Sequence, residues 1–427
     1  MAVASVLGTA VRAGTELKEA WKKVQGPVLD GFQSETEEIG LIKRAKIPRN
    51  KINISAREIT SPINIKRATH AAIIPEGGYE ARPLTNGMAE VTYTWSNYNI
   101  RFPVTLTTRF LRALGQDTKT IDQMKYQVMK AVEGLSDTVG RDMYGFTTGQ
   151  WCQTSTNATQ VSGTYTLTNL YGVSGAGSTA QLGGLFAVGD YVALVRAGAI
   201  VTNSVGGLVT AVTPATPSID VTWPGSVDAD ANDNVVLAIS AENTTLAGTN
   251  YNKALSGFYD AATTASVHGL SSATEANWSA GYSDTGGGRF SPIKLRKAKQ
   301  GIKNKGGGKI NLLLIDEGVD NDLFSSQSAA LRFADPNNIQ VDGKNTEPGI
   351  QFFYSRKVPS GVVFALDTTN SVSHFSLLDY PTENAMDWDE GDKMENQNAA
   401  AFSINFPFAM TWQNRANLGY FSGLTTQ

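Results

Sequence analysis

Residues 118–146 read TKTIDQMKYQVMKAVEGLSDTVGRDMYGF. Ile121, Met124, Val128, Val132, Leu135, Val139, Met143 and Phe146 recur at steps of three and four, which is one face of a 3.6-residue period. Thr120 and Gln123 have capping-box spacing, and Gly145 and Gly149 offer an exit. At about 1.5 Å per residue the expectation is a rod of about 40 Å. Gly134 and Gly140 inside it weaken it by about 1 kcal/mol each relative to alanine.

Upstream, the period changes from 3.6 to 2. Val91, Tyr93 and Trp95 alternate with polar residues, as do Ile100, Phe102, Val104 and Leu106, and earlier Ile52 with Ile54 and Ile63 with Ile65. Period two predicts strands with one face buried. Between these ladders lies Pro75–Pro83, with two prolines, two glycines and few apolar groups, which reads as the tip of a long excursion. Strands of about ten residues around such a tip are too long for a hairpin with nothing to pack on. Before them, residues 43–67 hold eight basic side chains against Glu58 alone. Such a run suits nucleic acid, or an acidic patch on another subunit. Residues 1–25 read as an amphipathic helix ended by Gly26-Pro27.

Downstream, residues 153–246 are rich in Ser, Thr, Gly, Ala and Val, and Arg196 is their only basic residue. Short alternating segments at 165–168, 191–195, 208–212, 219–223 and 235–239 predict a small inserted barrel or sandwich. Ser291-Pro292 then supplies an N-cap with proline at the first helical position, and Gly306-Gly307-Gly308 a stop. Ile310–Ile315 is a continuous apolar strand, a helix is expected over about 318–333, and further strands at 350–358, 362–366 and 372–378. An acidic loop, 383–395, precedes closing strands from Ala400 to Tyr420.

The composition narrows the function classes. Charged residues are 18% and glycines number 42 of 427, a turn-rich profile with much surface suited to cover by neighbours. No apolar run reaches the roughly 20 residues of a membrane span. The single cysteine, Cys152, excludes an intrachain disulfide and reads as a small buried hydrophobe. His70, His268 and His374 are too few for a His-built metal centre. Gly306–Lys309 lacks the Ser/Thr of a phosphate loop and leads from helix to strand, the wrong order. The acidic runs 228–232 and 387–392 lack the glycine and final glutamate of a calcium loop. No catalytic residue, cofactor or metal is predicted.

The order of parts is more informative than any motif. A basic arm leads to a two-stranded excursion with a Gly/Pro tip, then a strand, a long helix, and an α/β region with Trp278 and Ser291-Pro292. The chain closes on Asn414-Arg415-Ala416-Asn417-Leu418-Gly419-Tyr420. This resembles the major capsid proteins of tailed phages with the Hong Kong 97 fold. The resemblance implies an α+β chain divided into an N-terminal arm (1–61), an extended β loop (62–104) and a peripheral domain (105–152 and 396–427) with spine helix 118–146. It further implies an inserted β-rich domain (153–246) and an axial domain (247–395).

On this resemblance the chain is a structural protein, not an enzyme. It assembles with itself into pentamers and hexamers of an icosahedral shell in the host cytoplasm. Scaffold, portal and decoration proteins are its implied partners in the virion, with non-specific contact to packaged DNA and no membrane. Assembly contacts are expected from the loop residues Ile73, Ile74, Glu76, Gly77, Gly78, Tyr79, Arg82, Tyr93 and Trp95, with Val91 on the same face. Lys43, Arg44, Lys46, Arg49 and Lys51 form the basic arm. The loop tip from Ile74 to Glu90 contains no lysine, which argues against the lysine–asparagine cross-links of some family members. An encapsulin-type compartment shares the fold and is the alternative; a β-rich carbohydrate-binding or adhesin protein is disfavoured by the long helix.

Overall fold

The computed structural model describes residues 53–54, 58–64, 76, 88–94, 96–104, 117–238, 245, 248–275, 277–323, 350–368, 392–393, 400–410, 412 and 414–426. They fall into two compact units. The first holds strands β4 (Ser96–Val104), β18 (Asp392–Lys393) and β19 (Ala400–Phe408), together with helix α1 (Asp117–Tyr144) as far as Gly140. β4 and β19 pair antiparallel over nine residues, from Ser96 opposite Phe408 to Val104 opposite Ala400. The register sets Phe102 opposite Phe402 and Ile100 opposite Ile404. Two alternating apolar patterns far apart in sequence therefore match residue for residue. α1 agrees with the periodicity of 118–146 to within two residues at each end.

The second unit contains three sheets of three or more strands. The smallest joins β1 (Asn53–Ile54), β2 (Glu58–Asn64) and β3 (Met88–Thr94) in the order β1-β2-β3. β2 and β3 are antiparallel and seven residues long each, shorter than the expected ten. β3 and β4 belong to different sheets, so the period-two pattern that reads as one excursion to residue 104 is divided at Trp95.

The insertion is a barrel. β5 (Gln150–Thr154), β6 (Ala158–Thr168), β7 (Tyr191–Arg196), β8 (Ala199–Ile200), β9 (Gly207–Thr213), β10 (Ser218–Ala229) and β11 (Asn234–Leu237) run in the order β11-β5-β6-β10-β9-β7-β8. An added β11–β7 pairing closes six of them into a ring. Closure removes the open sheet edges that an inserted sheet would otherwise present. Leu194 and Cys152 both face Val235 across the ladders, so their side chains share the inner face. Trp223 fills the interior; its Nε1–H donates to the Tyr165 hydroxyl at 2.8 Å, leaving neither polar tip bare. Gly207 is required beneath it, because a β-carbon there would lie 2.1 Å from the indole ring.

Another buried core surrounds a mixed sheet ordered β14-β20-β17-β15-β16, from β14 (Tyr282–Asp284), β15 (Leu312–Ile315), β16 (Gln351–Tyr354), β17 (Val363–Leu366) and β20 (Leu418–Phe421). β20 pairs with β14 and β17 inside this sheet, whereas the sequence reading grouped 396–427 with the peripheral domain. The chain's end divides after Phe408: β19 serves the first unit and β20 the second. One sheet face is covered by α4 (Pro292–Gly306), whose Leu295, Ala298 and Ile302 pack with Leu313, Ile315, Val363, Ala365 and Phe421. Each leucine, isoleucine, valine and phenylalanine among them contributes about 1.5–3 kcal/mol on burial. The other face carries an aromatic cluster that includes Tyr259 and Phe364, 5.4 Å apart, and Tyr420, 5.6 Å from Phe364; Tyr259 and Phe258 come from helix α3 (Phe258–Thr263).

α4 begins and ends where its sequence says. The Ser291 side chain accepts from the Lys294 N–H, and Pro292 occupies the first turn. Gly307 takes φ +72° and donates to the carbonyls of Ile302 and Lys303.

Candidate functional site

The features that could carry chemistry are committed to the fold. Gly308 N–H donates to Asn417 Oδ1 at 3.1 Å and Lys309 N–H to Asp367 Oδ2 at 2.7 Å. The amides a phosphate loop would offer are thus used internally. In the acidic turn at 228–233, Arg196 takes the place a cation would have. It lies 2.7 Å from Asp230 Oδ2, 2.7 Å from Asp233 Oδ1, and bonds the Asp228 carbonyl at 2.7 Å. Cys152 is fully buried, and burial raises its thiol pKa so that no thiolate forms near neutrality. Among the described residues no group of three or more His, Cys, Asp or Glu side chains could hold a metal ion. The acidic run at 387–391 lies outside them.

The remaining candidate is the β2–β3 ribbon. Its alternation is plain in β3: Glu90, Thr92 and Thr94 are exposed, while Val91 and Tyr93 are fully buried, with Ile63 of β2 beside them at 3%. This corrects the expectation that a neighbouring subunit covers Val91 and Tyr93. Their own chain covers them, and for Tyr93 the covering residues lie more than 150 positions away. The Tyr93 hydroxyl donates to the Trp412 carbonyl at 2.7 Å, and its ring meets the His268 imidazole edge-on at 4.4 Å. Burial raises the Tyr93 pKa, so the phenol stays protonated and remains a donor.

Behind Tyr93 sits a buried knot that holds the ribbon's root. Arg415, 1% exposed, donates from Nε to the Ala261 carbonyl at 2.8 Å, from Nη1 to Trp278 at 3.1 Å and from Nη2 to Thr264 at 2.6 Å. The acceptors at 261 and 264 lie at the C-terminus of α3, where unpaired carbonyls and the negative end of the helix dipole favour a cation. Burial lowers the Arg415 pKa to about 10, which still leaves it charged near neutrality. Trp412 Nε1–H donates to the Ser256 carbonyl at 3.2 Å, and Ser256 and Thr147 both donate to Asp260 Oδ2, at 2.8 and 2.6 Å. His268 occupies φ +52° and is followed by Gly269 at +79°, the two-residue turn of the hairpin between β12 (Ser266–Val267) and β13 (Leu270–Ser271). Burial above all lowers its pKa to about 4; Asp260 opposes this and Arg415 adds to it. The imidazole is therefore neutral at physiological pH.

Of the other predicted assembly residues, Glu76 stands exposed at a turn. Ile73, Ile74, Gly77, Gly78, Tyr79, Arg82 and Trp95, and the arm residues Lys43, Arg44, Lys46, Arg49 and Lys51, lie outside the described residues. The sequence reading assigned no role to Arg415, although it quoted the segment around it. A lone charged residue just before the closing strand Leu418–Phe421 was the available signal.

No family model matches the sequence, and no curated protein matches it. Solved structures do. A chain of the cyanophage A-1(L) capsid asymmetric unit is similar over 92% of this chain and 93% of its own length, with TM-score 0.51 at 10% identity. A chain from Gordonia phage Cozz covers 86% and 81% at 10% identity, with TM-score 0.38. A chain of the holo-SrpI encapsulin complex of Synechococcus elongatus PCC 7942 covers 34% and 52% at 14% identity, with TM-score 0.25. The first of these, similar nearly from end to end, shows that this chain has the fold of a phage capsid protein.

Proposed function

We propose that this chain is the major capsid protein of a tailed phage, a structural subunit that assembles with copies of itself into the icosahedral shell of the head. The observation that carries the reading is the likeness of fold to a phage capsid chain over 92% of this chain and 93% of the other. The parts fit Hong Kong 97 roles. Residues 1–61 serve as the arm, β2 and β3 as the root of the extended loop, and α1 with the β4–β19 sheet as the peripheral domain. The five-stranded sheet is the axial domain and the barrel an insertion. The shell encloses the genome, and the virion is where the protein resides.

In this reading the loop has two portions. Its root is anchored in its own subunit through Tyr93, and its tip, from Ile73 to Arg82, reaches a neighbour. Such a contact is heterologous and closes into rings of five or six. Ile73 and Ile74 provide apolar burial, Glu76 and Arg82 set register, and Gly77-Gly78 lets the tip bend. The arm residues Lys43, Arg44, Lys46, Arg49 and Lys51 contribute to assembly. The barrel, with one basic residue among 153–246, points outward, away from the genome.

Deleting Ile74–Asn86 tests this. The expected product is a folded subunit that fails to form complete shells. Shells of normal size and stability after the deletion would count against the loop as an assembly element.

A further inference from the structure

The run from Arg289 to Lys309 holds eight basic residues and no acidic one. Most belong to α4. Because Leu295, Ala298 and Ile302 turn toward the sheet, Arg296, Lys297, Gln300, Lys303 and Asn304 share the exposed side, and Lys309 is exposed just beyond the Gly307 cap. Part of the charge is engaged: Arg289 pairs with Asp322 at 3.3 Å, Lys294 with Asp284 at 3.3 Å, and Lys305 donates to the Ala280 carbonyl at 3.0 Å. Among the described residues no carboxylate lies at ion-pair distance from Arg296, Lys297, Lys303 or Lys309.

The opposite side of the sheet has the opposite character. There Tyr259, Phe364 and Tyr420 form the aromatic layer, and the barrel meets it through Tyr171, whose ring lies 6.1 Å from Tyr259 and whose hydroxyl donates to the Lys357 carbonyl at 3.1 Å. Residues 150–237 carry five aspartates and one arginine. The sheet therefore separates a cationic helix from an acidic barrel.

We infer that the exposed face of α4 binds the phosphate backbone of nucleic acid, and that the α4 side of the subunit faces the enclosed genome. This rests on the shell reading above. A fifteen-residue helix is about 22 Å long and lies along a duplex length carrying about a dozen phosphates. A protein partner would call for an apolar centre depleted of charge. Ile293 is exposed at the start of this face, but from Arg296 to Asn304 it is cations and amides, which suits a polyanion contacted without base recognition.

The test uses the full chain with Arg296→Gln, Lys297→Gln, Lys303→Gln and Lys309→Gln combined. Binding to a labelled duplex of about 30 base pairs is measured across potassium chloride concentrations. Each lost phosphate contact reduces the slope of log affinity against log salt by about 0.9, so the variant's slope is expected to be shallower by about 3–4. Two unrelated duplex sequences should bind the wild type equally. The combined Lys297→Arg, Lys303→Arg and Lys309→Arg variant should keep the wild-type slope, and an unchanged circular dichroism spectrum of the glutamine variant excludes a folding defect as the cause. An unchanged slope in the glutamine variant overturns the inference, as does a wild type that binds polyglutamate but not the duplex. Shell formation is followed separately by sedimentation. Shells from both proteins with an unchanged slope remove the inference and leave the shell reading; no shells from the wild type remove the shell reading itself.

Discussion

The barrel and the five-stranded sheet solve the same problem in opposite ways. The barrel is one contiguous piece of chain, 150–237, whose first and last strands pair with each other, so its hydrogen bonds close on themselves. The sheet draws strands from 282–284, 312–315, 351–354, 363–366 and 418–421, and its integrity depends on the chain's end returning to it. A self-closed module can be added or removed at the junction where its ends meet. A discontinuous sheet cannot lose a part without losing its cooperativity, and it is the element on which the loop root and the basic helix are mounted.

The largest effect should come from the knot that fastens the returning segment. Arg415→Ala strips two buried carbonyls and one part-buried carbonyl of their donor and should destabilise the second unit by about 3–5 kcal/mol. Hydrogen exchange followed by mass spectrometry should show protection lost across the sheet and β3 but retained in the barrel. Equal loss in both would show that barrel and sheet unfold as one unit.

Acid should have the next effect, and it should act on the same side of the comparison. The His268 pKa of about 4 lies below the usual 6.5, so the unfolded chain binds more protons between those values. The stability present above pH 6.5 falls as the pH drops through about 4, by about 3 kcal/mol in all. Urea denaturation of the sheet, read against pH, should show this slope. His268→Asn, which tolerates the positive φ, should flatten it.

Excising the barrel should cost less. Replacing 153–234 with a short Gly-Ser linker joins positions already paired across β5 and β11. The sheet should lose about 2–3 kcal/mol, from the Tyr171 ring packed against Tyr259 and the hydrogen bonds that Tyr171 and Gln181 make to Lys357 and Val358. Collapse of sheet protection would show that the barrel is a structural part of its host. The smallest change belongs to Ser291→Ala, which removes one capping acceptor from α4 and should cost about 1 kcal/mol by thermal melting.

What could be read from the sequence follows the same division. Local, periodic signals were legible: the helix 118–146, the short strands of the barrel, the Ser291-Pro292 cap and the Gly307 stop. The burial of Tyr93 was not, because its cover, Trp412 and His268, lies more than 150 residues away. The β4–β19 pairing is equally remote, and so an alternating stretch was read as part of the loop. The basic helix was hidden by averaging. Residues 291–427 sum to −2 because every acidic residue there follows the cationic run. The loop tip and the arm, where assembly contacts are proposed, lie outside the described residues apart from Glu76.

The central claim is that this fold is a shell subunit. Electron microscopy of the purified full-length chain tests it most directly. The account predicts closed particles with fivefold and sixfold capsomers, with the barrel resolved on the outer surface and α4 on the inner one. Monodisperse monomers under all assembly conditions, or shells with the barrel pointing inward, would contradict it.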